Sequence, residues 1–265
     1  MKQNKYFSPG RFARLFRNDL LINQKAYSFA IAGLCIAIYV FSYFVMMVNR
    51  RGFNQPNDYI PIILIFLMAI GVIIGTSFPA LNNQIKTSNY LLAPGSIFEK
   101  YMVQFVIRIV LFIPIALGIF WIGTHLAKAS MVPDPSINFD PSSIPNFHFG
   151  DLFKEVPTFR DKLVIIVSIF SFATVLFAGA AFFNRFALVK TLIVSGITFG
   201  AVLLSFVMFS HIFYPSQTHG FEMELKTYQI TKDLKNSQLF IYLIGGLSWL
   251  FFLPLAYFKL KEKEV

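Results

Sequence analysis

The sequence predicts an all-α integral membrane protein: six transmembrane helices with both termini cytoplasmic, preceded by an amphipathic interfacial helix. Three observations carry this expectation. The 265 residues are 56% hydrophobic and only 14% charged, with a mean hydropathy of +0.62, whereas soluble domains carry about a quarter charged residues. Six apolar runs, each near the roughly 20 residues that cross a bilayer core, fall at residues 26–48, 59–79, 102–124, 163–183, 188–213 and 238–258. Finally, Lys and Arg concentrate in alternate connectors, 13 against four acids on one side and nine against nine on the other. The basic side is then cytoplasmic by the positive-inside rule, although Arg50 and Arg51 run against it.

Residues 1–25 form the predicted cytoplasmic N-terminal segment, with Lys2, Lys5, Arg11, Arg14, Arg17 and Lys25 against a single acid, Asp19. The basic region is too long for a signal peptide, and no small-residue cleavage site follows the first apolar run. Pro9 suits a first helical turn. On a wheel of about 100° per residue, Phe12, Ala13, Leu15, Phe16, Leu20 and Ile22 share one arc. Arg11, Arg14, Arg17, Asn18, Gln24 and Lys25 fall opposite, with Asp19 and Leu21 as exceptions. Such a basic amphipathic helix lies flat in the headgroup layer; a plain positive flank that orients the first span is the simpler reading.

The transmembrane domain occupies residues 26–258 and a tail residues 259–265. The fourth and fifth runs are separated only by Asn184, Arg185, Phe186 and Ala187, which predicts a tight helical hairpin. Outer loops are expected at 125–162 and 214–237. The first carries Pro133, Pro135, Pro141, Pro145 and Pro157; its Phe147, His148, Phe149 and Phe153 would lie on the membrane surface or meet an outer partner. The second holds His219, Glu222 and Glu224, types that suit a divalent metal but without a recognised ligand spacing, so no metal site is expected.

The connector at residues 86–101 looks built as a surface. Pro94 and Gly95 stop what precedes them. Ser96 followed three residues later by Glu99 is a capping box, in which hydroxyl and carboxylate each satisfy an orphan amide. Lys100 and Tyr101 then lead into the third span.

The run YLLAPGSIFEKYMVQFVIRIVLFIP resembles the Leu-x-x-Pro-Ala-Ser-x-x-Glu-Lys segment between the second and third spans of bacterial ABC-2 type transporter permeases. The likeness is sharpest over residues 80–115. Gly95 departs from it, standing where that family more usually has Ala or Val. The resemblance implies the membrane-spanning subunit of an ABC exporter in the bacterial inner membrane. Pro94, Gly95, Ser96, Glu99 and Lys100, with Arg11, Arg14 and Arg17, would then face a separate cytoplasmic ATPase. ATP and Mg would sit on that partner, this chain holding no cofactor, and a second permease copy, identical or related, would complete the pathway.

The residues themselves exclude several other classes. No G-x-x-x-x-G-K-[ST], H-E-x-x-H or G-x-S-x-G pattern occurs, so the chain is not expected to be an enzyme or to bind nucleotide itself. Cys35 is the sole cysteine, a small packing residue that allows no intrachain disulfide. No acid or lysine lies deep in a span, which argues against an ion-coupled carrier. Arg108 is the one ionisable group there; it either snorkels, pairs with a neighbour or lines a substrate path. His211 is expected to hydrogen-bond at the interface. Gly71-x-x-x-Gly75, Gly196-x-x-x-Gly200 and residues 178–181 permit close helix approach within or between bundles. The inward basic surface suits anionic membrane lipid, not nucleic acid. Two further classes stay open: a non-transporting scaffold or anchor for a cytoplasmic partner, and a lipid-modifying enzyme, for which the inner face lacks a His/Asp/Glu cluster.

Overall fold

A computed structural model describes residues 7–49, 53, 55–82, 90, 94–133, 139–151, 158–183, 186–213, 218–219, 222–223 and 236–263. Among these residues lie seven helices: α1 (Pro9–Ile22), α2 (Gln24–Val48), α3 (Ile60–Gly75), α4 (Ile97–Ala129), α5 (Phe159–Phe182), α6 (Ala187–Phe213) and α7 (Asn236–Glu262). The one sheet element is a two-residue antiparallel pairing of Thr218–His219 with Glu222–Met223.

Five helices, α2 and α4 to α7, are long and apolar enough to cross a membrane. Their outward surfaces carry Phe29, Ile36, Val40, Phe44, Ile197, Phe199 and Leu204, all exposed. Water would not tolerate so continuous an apolar exterior, and the chain is a helical, membrane-embedded protein. Cys35 belongs to that exterior and not to the packing expected of it.

The second apolar run forms a shorter helix than its predicted 59–79 span. Helix α3 has 16 residues and ends at Gly75. The Thr76 hydroxyl donates to the Ile73 carbonyl at 2.9 Å, and Ser77 does the same to Ile74. Pro79 then disfavours a helical Phe78, and the chain resumes as a single tight turn, Pro79–Asn82. The third run behaves oppositely, as one helix of 33 residues from the predicted cap to Ala129. Its middle widens into a π segment, Val106–Leu111, where the Phe112 amide reaches back to Ile107. Pro114 lies just beyond and offers no amide to the Val110 carbonyl, so the ladder loosens next to it.

The expected hairpin between α5 and α6 is present. Phe186 takes a left-handed φ of 52° at the turn, a conformation that reverses the chain quickly, while Asn184 and Arg185 lie outside the described residues. Gly179 of α5 lies so close to α6 that an added Cβ would overlap Thr191, and Gly245 of α7 stands equally close to Val167 of α5. Gly71 packs on Leu176 and Phe172, and Gly75 on Leu188. Gly196 and Gly200, by contrast, face open space within the chain; the packing expected of them inside the bundle is absent. They lie on the outer surface of α6.

The bundle has two distinct ends. At one, Phe98 stacks edge-on against Tyr257 with ring centroids 6.0 Å apart, and Lys263 donates to the Ala181 carbonyl at 2.8 Å. The start of α4 and the end of α7 therefore share an end with the α5–α6 turn. At the other, residues 139–151 fold back onto α3 and α4. Tyr59 donates to the Pro145 carbonyl at 2.8 Å, and Phe147, 3% exposed, wedges between Tyr59 and Phe120 at 5.1 and 5.0 Å. Phe147 is thus a plug over the bundle end and not the surface residue expected, because apolar helix ends offer it more burial than any headgroup layer. Phe149 follows it, 5.0 Å away ring to ring, and His148 pairs with Asp151; Phe153 lies outside the described residues.

Candidate functional site

Of the sequence-predicted site residues, Arg11, Gly95, Ser96 and Glu99 come together at the first of these ends, around one buried carboxylate. Ser96 sits in extended backbone before α4 and accepts from the Glu99 amide at 3.1 Å, while Glu99 Oε2 accepts from the Ser96 amide at 3.0 Å. Both halves of the capping box are made. The second oxygen, Oε1, faces α1. It accepts the Ser8 amide at 2.7 Å and Arg11 Nε at 3.2 Å, with Arg11 Nη2 3.1 Å away. Glu99 has no solvent exposure.

Burial alone would raise the carboxyl's pKa. The Ser96 and Ser8 amides and the Arg11 guanidinium outweigh it and hold Glu99 below its ordinary value of 4.5. A carboxylate that caps one helix and receives the amide before another fuses the two ends, since neither donor has another route to satisfaction without water.

Arg11 therefore does not belong to the outward polar face. Arg11, Leu15, Asp19 and Asn23 are partly buried while Arg14 and Arg17 are exposed, an i, i+4 series that turns toward α4. Arg14 bonds its own helix at the Gly10 carbonyl. Phe7 bridges the two helices, 5.8 Å from Phe12 and 6.3 Å from Phe98, centroid to centroid. Gly95 has a reason here: an added Cβ would meet Leu15 Cδ1 at 2.5 Å. Its φ is ordinary, so glycine serves close approach and not backbone strain. Pro94 is exposed, whereas Lys100, 4% exposed, does not lie on the outward surface expected of it; residues 86–89 and 91–93 of the connector lie outside the described residues.

A second polar cluster continues inward. Asp19 accepts from Gln104 Nε2 at 2.9 Å, Asn23 Nδ2 at 3.2 Å and the Tyr27 hydroxyl at 2.7 Å. Arg108 lies behind it, its guanidinium carbon 5.0 Å from the Tyr27 ring centroid and Nη1 3.4 Å from the Ile73 carbonyl. Arg108 is 8% exposed and packed within its own chain, so it does not snorkel to the surface. Cation–π contact and the nearby Asp19 charge are what keep a guanidinium there. Its Nε has no partner among the described groups.

Asp19, Tyr27 and Gln104 were not singled out by sequence reasoning. Asp19 showed itself only as an exception on the helical wheel. Gln104 carries no charge, so a search for ionisable residues at depth passes over it, although it stands one turn after Lys100.

Between α1, residues 78–80 and α4 lies a cavity of about 430 Å³, lined by Leu15, Asp19, Ile22, Phe78, Lys100 and Gln104 among others. Tyr90 also borders it. Burial, with Asp19 and Tyr27 adding, pushes the Tyr90 hydroxyl up, so it acts as a donor and reaches the Lys100 carbonyl at 3.3 Å. Among the described residues no group of three or more His, Cys, Asp or Glu stands together as a metal site. Side chains of the 214–237 segment, His219 and Glu222 included, are not described.

No protein-family model, curated protein or solved structure matches the chain. The geometry at Glu99 therefore stands on its own.

Proposed function

We propose that the chain is the membrane-spanning permease subunit of an ATP-driven ABC transporter, an exporter, with six spans, both termini in the cytoplasm and the Glu99 end facing a separate ATPase. The observation that carries this reading is the fusion of two surface elements through Glu99: the basic helix α1 and the capped start of α4. A force applied to either is delivered to both, and α4 passes it along the whole 33-residue helix, which is what conversion of ATPase closure into altered access requires. The resemblance of residues 80–115 to ABC-2 permeases supports the same assignment. The shorter α3 counts as the second span here, since its 16 residues plus the following turn suit a slightly thinned or oblique crossing.

In this mechanism the chain supplies no chemistry to nucleotide. Arg14 and Arg17, exposed on α1, and Pro94, at the outer edge of the connector, meet the partner; Arg11, Glu99, Ser96 and Gly95 hold the two helices together behind them. One bundle offers half a pathway, so two assemble.

The test is a mild-detergent purification of the tagged chain, with mass spectrometry of co-purifying proteins and an ATPase assay of the eluate. Recovery of a near-stoichiometric soluble subunit with a Walker motif and vanadate-sensitive hydrolysis is expected. A clean preparation with no ATPase, reproduced under gentler extraction, would favour a membrane anchor instead. A cysteine replacing Ser142 is expected to react with an impermeant maleimide from outside intact cells, and protection there would reverse the topology.

A further inference from the structure

The buried face of α4 recurs at every fourth residue: Lys100, Gln104, Arg108, Phe112, Ala116, Phe120 and Thr124. A regular α-helix, turning about 100° per residue, would carry such a series steadily around its axis. The π segment Val106–Leu111 takes up one extra residue. Without it the outer half of α4 would be turned by about 100°, swinging Phe112, Ala116 and Phe120 off the bundle. Helix α4 is therefore two rods set against each other by a joint. The inner rod is seated on α1 through Glu99, and on α7, where the Tyr101 hydroxyl donates to the Leu253 carbonyl at 3.1 Å. The outer rod is seated on α2 and α3, with Gly123 against Ile38 and Phe120 4.7 Å from Phe66, centroid to centroid.

Arg108 lies within the joint and is held sparsely. Its Nη1 stands 3.4 Å from the Ile73 carbonyl of α3, its Nε has no partner among the described groups, and its guanidinium carbon is 5.0 Å from the ring centroid of Tyr27 in α2. A guanidinium has five donors, so these contacts leave it under-satisfied. Its charge is balanced from α1 by Asp19, close enough to act on it electrostatically and bonded to the Tyr27 hydroxyl at 2.7 Å. The joint is in a spanning helix, and its counter-charge is on a helix that does not span.

We propose that Asp19 and Arg108 form an electrostatic latch on this joint: docked, α1 supplies the charge that keeps Arg108 seated between Tyr27 and Ile73; undocked, it withdraws that charge and frees the π segment to open. The costs are unequal. A buried charge stripped of its partner is far less favourable than no pair at all. An arginine so stranded relaxes by extending its stem toward water, which gives up both Ile73 and Tyr27. Asp19 is thus a positioning residue that acts on α4 through Arg108. The latch operates in a permease and in a membrane anchor alike and does not rest on the transporter reading.

The test is hydrogen–deuterium exchange of the full-length chain in mild detergent, read by mass spectrometry on residues 107–113, with residues 116–127 of the same helix as the internal reference. Asp19→Leu is expected to speed exchange at 107–113 about tenfold, as local opening of a segment does, and to leave 116–127 as in the parent. Unchanged exchange at 107–113 overturns the latch, and so does faster exchange along the whole of α4, which marks general loosening. Combining Asp19→Leu with Arg108→Leu is expected to return 107–113 to the parent's rate, because the charge that needed a partner is gone. A double variant as fast as the single one would mean that Asp19 works by packing, and overturns the proposal. Glu99→Ala, which changes neither latch residue and releases the other end of α1, is expected to speed the same amides; amides still protected beside an undocked α1 overturn the link between docking and joint. Where Asp19→Leu fails to give a monodisperse preparation, Asp19→Asn, which removes the charge and keeps the shape, is read in its place, alone and with Arg108→Leu.

Discussion

The Arg11 guanidinium stands 3.1 Å from the carboxylate of Glu99, 88 positions later in the chain, and Glu99 is wholly buried. Glu99 also receives the Ser8 and Ser96 amides, so one side chain satisfies donors from both helices. Truncating it leaves these donors unpaired behind a packed aromatic layer.

Glu99→Ala is accordingly expected to undock α1. The loss should be about 1–3 kcal/mol, since the amides lose a charged acceptor while Arg11, partly exposed, regains water. Spin labels on Arg17 and on Phe258, an exposed residue of α7, read by electron–electron distance measurement, would report a broadened distribution. In the proposed transporter the same variant separates ATP hydrolysis from transport while insertion is unchanged. A distance distribution like the parent's would show that Glu99 does not hold the helix.

The pH dependence of docking follows from the same contacts. Glu99 has a folded-state pKa below its ordinary 4.5, so its contribution is fully present above that value and is lost as pH falls through the lower, folded one. Docking should stay constant from neutral pH to about 5 and weaken only below 4.5. The same spin-label pair titrated downward checks this, with the Glu99→Gln variant, which cannot ionise, expected to show no such step.

Gly95→Ala should cost about 1 kcal/mol and Gly95→Val more. The intruding Cβ meets the far end of Leu15, and a terminal methyl can swing aside where backbone cannot. Pairing Gly95→Ala with Leu15→Ala should recover much of the loss, because the double variant removes the overlap. Thermal melts of the four proteins in one detergent make this cycle.

This junction was partly legible in the sequence. The capping box was explicit in Ser96 and Glu99, and the helix-breaking Pro94–Gly95 pair marked the start of α4. What the sequence could not show was the partner of Glu99's second oxygen, since a contact across 88 residues leaves no local periodicity. The wheel put Arg11 with Arg14 and Arg17 because it sorts by polarity; in the fold, a buried carboxylate reverses the preference for one of the three. Asp19 is the companion case, an acid on an otherwise apolar arc that is balanced by Tyr27, Asn23 and Gln104. The apolar runs each fall on a helix, five of them long and apolar enough to cross a membrane, because a bilayer-length run is a one-dimensional signal. The ends of α3 were less legible: Thr76 and Ser77 stop it by bonding its last carbonyls, and both residues sit inside an apolar window.

Small-residue patterns show the same limit, and a substitution pair tests it. Gly179→Ala places a methyl within the Thr191 side chain, and Thr191 is 5% exposed and bonded to the Ala187 carbonyl at 2.7 Å. It should destabilise the α5–α6 hairpin by about 1–3 kcal/mol. Gly196→Ala meets nothing within 4 Å and should be neutral or slightly stabilising through helix propensity. Detergent melting curves distinguish them; an equal loss from Gly196→Ala would reveal a neighbouring molecule packed on that face of α6.

At the opposite end, Phe147 closes the bundle, and its removal should release the loop that carries it. The ring is 3% exposed between Tyr59 and Phe120, so Phe147→Ala forfeits about 3 kcal/mol of burial and packing. The hydrogen bond from Tyr59 to the Pro145 carbonyl cannot hold residues 139–151 alone, being worth about 1 kcal/mol net. A reporter exists in the same loop: Ile144, 1% exposed, replaced by cysteine in a background where Cys35 is serine. That cysteine should resist an impermeant maleimide in the otherwise intact protein and react readily once Phe147→Ala is added. Tyr59→Phe, which removes the hydrogen bond and keeps the ring, should give only a small rise in reactivity. If the two variants label equally, the hydrogen bond and not the aromatic wedge is what seats the loop.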